Sequence, residues 1–413
     1  MNKKNKVHFI KDNNFKKNIL KINFRRKTNP REITKLNLLM YILLMTSKKY
    51  KTNRELLLKA KELYDLSPEA FINIYGNCTV FSFRFTFLKD KYTEENNSLK
   101  VIEFINEILF NPDVKNNKFN KNTFELAKNQ VLDDIKTYSE NKAAYSKKRM
   151  CECMDPNSPY AIDVVGYLDD LNSVDEKELY DFYLEIINNS SADVFAFGDI
   201  DPKVLDSIAF KTINNYDNIS YIYKSKERKV KTIIERDNLN QSKLVMGYNM
   251  NDLTPYEAEY ALQIYLYILG LGPDSKLFTN VREKESLCYT IASTAKYAGS
   301  FMMISAGIDA STFDKTVELI NNQIKAMENG EFDESNMESA KLSIKTSYRE
   351  LLENPYTIIN SYESSLYLGF DSIKKRLKVI DKVTKEEIIA VAKKIKLNTI
   401  YLLEGTRRWK NII

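Results

Sequence analysis

Leu269 to Ser293 reads LGLGPDSKLFTNVREKESLCYTIAS, and the interpretation of the whole chain turns on this stretch. Gly270 and Gly272, followed by Pro273, stop a helix and open a loop in which backbone can approach another group closely. Asp274 or Ser275 can cap a short helix that runs to Glu283 and presents Arg282 near its end. Tyr289 then falls at the start of a strand, Cys288 to Ala292. A guanidinium and a phenol on either side of a helix-to-strand turn can aim donors at one point, such as a peptide carbonyl that becomes an oxyanion. On spacing alone the plainer reading is preferred: a surface Arg282 paired with Glu283 or Glu285, and a Tyr289 buried as core.

Around this stretch the pattern alternates between strand and helix. Leu244 to Tyr248 and Met302 to Ile308 read as strands, and Pro255 to Leu269 and Phe313 to Met327 as helices. The N-terminal part is built likewise. Asn18 to Arg25 alternates apolar and polar residues, Pro30-Arg31-Glu32 starts a largely buried helix over Ile33 to Met45, and Asn53 can cap a helix over Arg54 to Tyr64. Thr79 to Leu88 alternates strictly and predicts a strand with its aromatic face, Phe81, Phe83, Phe85 and Phe87, packed on helices. Helices fill Ser98 to Ile187, and the strand Ala192 to Phe197 leads into a turn at Gly198 and Asp199. Polar clusters from Lys211 to Lys231 predict a linker.

Two ordered blocks repeat across that linker. Leu171, Asn172, Val174, Glu178 and Leu179 match Ile380, Asp381, Val383, Glu387 and Ile388, each 209 residues later. Phe119, Asn120, Phe124, Glu125, Ala127, Lys128 and Val131 match Phe332, Asp333, Met337, Glu338, Ala340, Lys341 and Ile344, each 213 residues later. Amphipathic helices resemble one another by chance, but two ordered blocks at nearly one offset favour duplication. The expectation is an α+β protein of two homologous halves, residues 1–212 and 231–413 with a linker at 213–230, each a mixed sheet covered by helices, facing one another across a cleft.

Composition narrows the chemistry. A chain of 413 residues with 43% apolar and 12% aromatic residues, but only 11 Gly and 9 Pro, is neither disordered nor fibrous. Its net charge of +6, with acidic residues interleaved throughout, gives no clustered surface for nucleic acid. There is one histidine, His8, so most histidine-based catalysis and metal ligation is excluded. Cys151 and Cys153 would point apart on a helix, so no zinc set is visible. Four cysteines make no disulfide framework, no signal peptide opens the chain, and the longest apolar run, Leu38 to Met45, is too short to span a bilayer. A cytoplasmic protein with no membrane anchor is expected. The basic opening MNKKNK and Arg25-Arg26-Lys27 read as solvated surface.

The run L-G-x-G-x-x-S-x-L-F-x-x-V-R-E-x-x-x-L-x-Y, together with VFAFGDID at Val194 to Asp201, resembles the insulinase, or pitrilysin, family of metallopeptidases, the inverzincins, which includes the mitochondrial processing peptidases. The similarity extends from about Asn18 to Glu404. It implies a clam-shell of two α+β halves around a chamber in which extended peptides are cut at zinc. Active members carry H-x-x-E-H on a helix and a downstream glutamate ligand. Here the corresponding helix reads Asn37-Leu38-Leu39-Met40-Tyr41, and Asp134 stands about where the third ligand would be.

What the resemblance implies is therefore a non-catalytic member. It is similar to the chain without zinc in paired bacterial peptidases, one branch of which is associated with modification of elongation factor P. In two-chain members one chain supplies zinc and the other the C-terminal Arg and Tyr that contact substrate. Arg282 and Tyr289 match those positions, which reverses the preference from spacing, with Gly270, Gly272 and Ser275 as further substrate-binding positions. The expected partner is a homologous subunit bearing H-x-x-E-H and holding the zinc, with no metal or cofactor in this chain and a homodimer as the form when alone. The rivals are a proteolytically inactive scaffold that binds a peptide or protein, and a hydrolase with an unrecognised site.

Overall fold

The structure, a computed structural model, describes residues 6–94, 96–209 and 219–406. Most of the basic opening (1–5) and the first part of the expected linker (residues 210–218) lie outside the described residues. The first part of the chain forms β1 (Lys6–Lys11), β2 (Lys17–Lys27), α1 (Pro30–Met45), α2 (Asn53–Glu62), β3 (Ser67–Tyr75), β4 (Cys78–Leu88) and α3 (Asn97–Phe110). A small hairpin, β5 (Val114–Lys115) and β6 (Lys118–Phe119), leads to α4 (Lys121–Glu140), α5 (Lys142–Met154), α6 (Leu168–Ser173), α7 (Glu176–Asn189), β7 (Ser191–Gly198) and α8 (Pro202–Leu205). The second part forms β8 (Lys231–Asp237), β9 (Ser242–Asn249), α9 (Pro255–Glu259), α10 (Ala261–Leu266), β10 (Cys288–Lys296) and β11 (Phe301–Ile308). It ends with α11 (Phe313–Glu328), α12 (Glu334–Glu350), α13 (Pro355–Leu368), α14 (Ile373–Val379), α15 (Lys385–Lys394) and β12 (Lys396–Gly405).

Two five-stranded mixed sheets result, ordered β1-β7-β2-β4-β3 and β8-β12-β9-β11-β10. In each, the first strand runs parallel to its neighbour and every other pairing is antiparallel. One topology is written twice, and the repeat registers land cap on cap. Asp175 caps α7 by accepting from the N–H groups of Lys177 and Glu178, and Thr384, 209 residues on, caps α15 with a capping box. Asn120 accepts from the Asn122 and Thr123 amides ahead of α4, and Asp333, 213 residues on, caps α12. The matched apolar pairs Leu171/Ile380, Leu179/Ile388 and Ala127/Ala340 are all buried.

The chain divides into two compact units, residues 1–138 with 163–220, and 139–162 with 221–413. In the first, the register sets Leu20, Ile22 and Phe24 of β2 opposite Phe85, Phe83 and Phe81 of β4, and all six are buried. Asn29 and Pro30 start α1, and Thr52, one residue ahead of the expected Asn53, caps α2 with a capping box to Glu55. The alternate residues of β4 are covered too: Val80, Ser82 and Thr86 are buried, so the strand has two interior faces. At the sheet edge, Pro68 is tolerated in β3 because one side of that strand has no ladder partner to serve.

In the second unit, Leu244, Met246 and Tyr248 of β9 and Met302 and Ile304 of β11 form one core with residues of α10, α11, α12 and α15. The opposite face receives α5, a helix from earlier in the chain. Met150 and Met154 pack there on Val245, Phe301, Tyr401 and Leu403. Gly247 permits the fit, since a Cβ on it would overlap the Met150 sulfur. Among the described residues, no helix is long and apolar enough to cross a membrane.

Candidate functional site

The helix that the resemblance sets against H-x-x-E-H is α1, and its side chains are already committed. The Asn37 amide nitrogen donates to the Ile33 carbonyl and to the Val164 carbonyl, both at 2.9 Å. The Tyr41 hydroxyl donates to Asp134 Oδ2 on α4 at 2.6 Å. Burial and this bond to the carboxylate push the Tyr41 phenol well above its ordinary range, so the oxygen stays protonated. The resemblance sets Tyr41 and Asp134 at two ligand positions, and the fold brings them together, but as donor and acceptor. Asn37, Met40, Tyr41 and Asp134 thus do not fit a zinc ion: the first has spent its amide, the second is a thioether and the third holds its proton. Among the described residues no group of three His, Cys, Asp or Glu side chains could hold a metal.

His8 is likewise engaged. On β1 it stacks on Phe195 at 4.8 Å and lies 3.4 Å from Asp193. Cys78, Cys151, Cys153 and Cys288 are all free, and burial pushes the Cys151 thiol up to about 12, far from a reactive thiolate.

The Gly270 to Tyr289 segment has a different character. It contains two π-helical turns, Tyr267–Leu271 and Phe278–Glu283, where Gly272 N–H reaches back to Tyr267 O at 2.9 Å and Lys284 N–H to Thr279 O at 3.1 Å. The expected cap does not form. Ser275 is buried with its hydroxyl unpartnered, and the turn is closed by its backbone N–H to Gly272 O at 3.1 Å. The glycines allow close approach to the protein's own chain: a Cβ on Gly270 would lie 2.9 Å from Ser293 Oγ, and one on Gly272 would lie 2.8 Å from the Tyr267 ring.

Arg282 is exposed and lays its guanidinium over the Phe278 ring at 4.7 Å. It forms no ion pair with Glu283 or Glu285, and Glu285 instead binds Lys315 at 2.5 Å. The chain reverses through Ser286, held in the left-handed region at φ 53°. The β10–β11 register then slips between Cys288 and Thr290, leaving Tyr289 opposite no residue. A bulge of this kind re-aims a side chain, and Tyr289 is 65% exposed instead of buried as core. Arg282 and Tyr289 share no hydrogen bond. Both offer free donor groups at the surface of the second unit, on a segment shaped by π turns and a bulge that the spacing of apolar residues does not betray.

The family description "Peptidase M16 inactive domain" matches residues 173–344. Over 408 residues the chain is 29% identical to the probable inactive metalloprotease YmfF of Bacillus subtilis (strain 168), covering 97% of this chain and 96% of the relative. A conserved protein from Enterococcus faecalis V583 superposes with a TM-score of 0.91 at 26% identity, over 97% of this chain and 96% of that one. A peptidase M16 inactive domain from Pseudomonas fluorescens superposes with a TM-score of 0.77 at 16% identity, over 98% and 97% of the two chains, and at that identity bears on the fold alone.

Proposed function

We propose that this chain, which is similar to a peptidase M16 inactive domain over residues 173–344 and to a probable inactive metalloprotease along its length, is a non-catalytic subunit that binds a peptide and completes a zinc site held by another chain. One contrast carries the reading. The side chains at the zinc positions are locked into internal hydrogen bonds, while Arg282 and Tyr289 are turned outward with donors to spare. In this role Arg282 and Tyr289 hydrogen-bond the carbonyl that develops negative charge at the partner's zinc, each donor aligned before reaction. Gly270, Gly272 and Ser275, all buried, are substrate-binding positions through the shape that they give the backbone of this segment. The partner is a homologous H-x-x-E-H subunit, the setting is the cytoplasm, and a homodimer is the form adopted without the partner.

Co-expression with such a partner tests this. Zinc-dependent peptide cleavage above that of the partner alone is expected, with Arg282→Ala lowering it by roughly 100-fold, the scale of losing an oxyanion donor. Unchanged cleavage in Arg282→Ala removes the proposed role of that residue. The purified chain alone should hold less than about a tenth of an equivalent of zinc. The locked zinc positions also favour a second reading, a scaffold that holds a peptide without any cleavage. It is distinguished by a stable complex that stays inactive in every combination. The link to elongation factor P falls if deleting the chain leaves the mass of that factor unchanged.

A further inference from the structure

On the face of the second sheet that receives α5, the helix covers β9 and β12 but leaves a groove over β9, β11 and β10. The register explains its floor. Thr290 faces Gly307, Ala292 faces Ser305, and on the other side Lys243 faces Gly307 and Val245 faces Ser305. These residues share one side of the sheet, so the floor is made of small and hydroxyl-bearing side chains with one lysine. The wall is one flank of α5, formed by the exposed Ala143, the buried Ser146 and the half-buried Lys147.

The groove measures about 260 Å³, below the range of about 300–1,000 Å³ that encloses a whole small molecule, and suits a side chain of a longer ligand. Its charge is one-sided: two lysines line it and no carboxylate does. Among the described residues Lys147 has no acidic partner, although the next residue, Lys148, is paired with Glu152. Lys243 is held by a neutral group, with Nζ 2.5 Å from Gln241 Oε1. Gly307 makes that possible, since a Cβ there would lie 2.6 Å from the same oxygen. Burial lowers the Lys243 pKa, the mark of an ammonium that lacks a counter-charge. A lysine at an inward position of a strand, steered by a glutamine across a glycine, spends packing area to aim a cation into the groove.

We propose that this groove is a subsite for a carboxylate side chain of an extended acidic peptide, gripped by Lys147 and Lys243 with the hydroxyls of Thr290 and Ser305. The proposal rests on the peptide-binding reading above and names its substrate class. Thr290 follows Tyr289 directly, so a peptide lying against Tyr289 passes the mouth of the groove.

The test uses labelled decapeptides with a single glutamate walked along the sequence, each beside its glutamine isostere. Binding to the full chain, alone and with an H-x-x-E-H partner, is read by fluorescence anisotropy at low salt. At one glutamate position the acidic peptide should bind about tenfold tighter than its isostere, the scale of a charge-assisted hydrogen bond. Lys147→Ala and Lys243→Gln should each bring that ratio below about threefold, by weakening the acidic peptide more than the glutamine peptide. Lys147 lies on a half-exposed helix flank, so its variant keeps the fold even if the Lys243 variant does not. Equal affinity for both peptides at every position overturns the subsite and leaves the peptide-binding reading standing. No binding of any peptide, with or without the partner, overturns both.

Discussion

The two sheets share a strand order and differ in the face that each turns away from its own helices. On the first sheet that face is charged and buried. Lys21 is 1% exposed and sits over Phe71 at 5.1 Å, Ser82 donates to Asn23 at 2.8 Å, and Asp193, fully buried, pairs with Arg25 at 2.6 Å. On the second sheet the corresponding face is apolar where α5 sits, with Val245, Phe301, Tyr401 and Leu403 against Met150 and Met154, and open and hydroxyl-lined beyond it. The helix-facing positions of a repeated sheet must stay apolar in both copies, because they build the core. The alternate positions answer to no such demand and are where duplicated halves can take up different chemistry.

The largest expected effect tests whether the charged face is a single network. Asp193→Ala removes a fully buried carboxylate from the largely covered Arg25 and should cost about 4 kcal/mol, near the scale of breaking a buried pair. Urea unfolding measures it, and adding Arg25→Ala should return much of the loss. A cost below about 1 kcal/mol would mean that the face is held by packing and that the contrast between the sheets is one of shape only.

On the second sheet the same question is put to α5. Met150→Ala, at a side chain with no exposure, should cost roughly 3 kcal/mol through lost contacts and the cavity left behind. Gly247→Ala should cost about 2 kcal/mol by forcing the helix off β9. Both variants should also speed proteolysis between Ser139 and Ile162, the excursion that joins the second unit. If cleavage there does not change, α5 is secured by something other than the Met150 contact with Gly247.

The repeated frame was legible in the sequence because its signals are local. Caps at Asp175 and Thr384, and apolar residues at helical spacing behind them, recur at one offset and fold alike. The strand periods of β2, β4, β9 and β11 were likewise readable. The strand β3 was not, since SPEAFINIY carries a proline at its second position and lacks clean alternation, and only its edge position tolerates that. The packing of Met150 and Met154 on the second sheet was also invisible, because their helical spacing records a buried face and not what covers it. Within the candidate site, Arg282 and Tyr289 were found through a motif, whereas their exposure depends on π turns, on Ser286 at φ 53° and on a slipped register. None of these has a periodic signature.

The smallest effect concerns the clasp that ties α5 to the outer strand. Glu235 on β8 accepts from Arg149 Nε at 3.2 Å and from the Tyr401 hydroxyl at 2.7 Å. The bond from Arg149, joined by that from Tyr401, lowers the Glu235 pKa below its ordinary value. A carboxylate depressed in the fold contributes stability that is present above its unfolded pKa, about 4.3, and is lost as pH falls through the lower folded value. The pair is partly solvated, with side chains 31% and 29% exposed, so screening holds the contribution at neutral pH to under about 1 kcal/mol. Glu235→Gln should therefore unfold slightly earlier than the wild type at pH 7, and the gap should close as the pH is taken from 5 towards 3. Urea midpoints across that series decide it. A gap that persists unchanged in acid would show that the neutral hydrogen bonds hold α5, and the second sheet would then keep its borrowed helix by packing and those bonds, without the charge on which the first sheet's buried face depends.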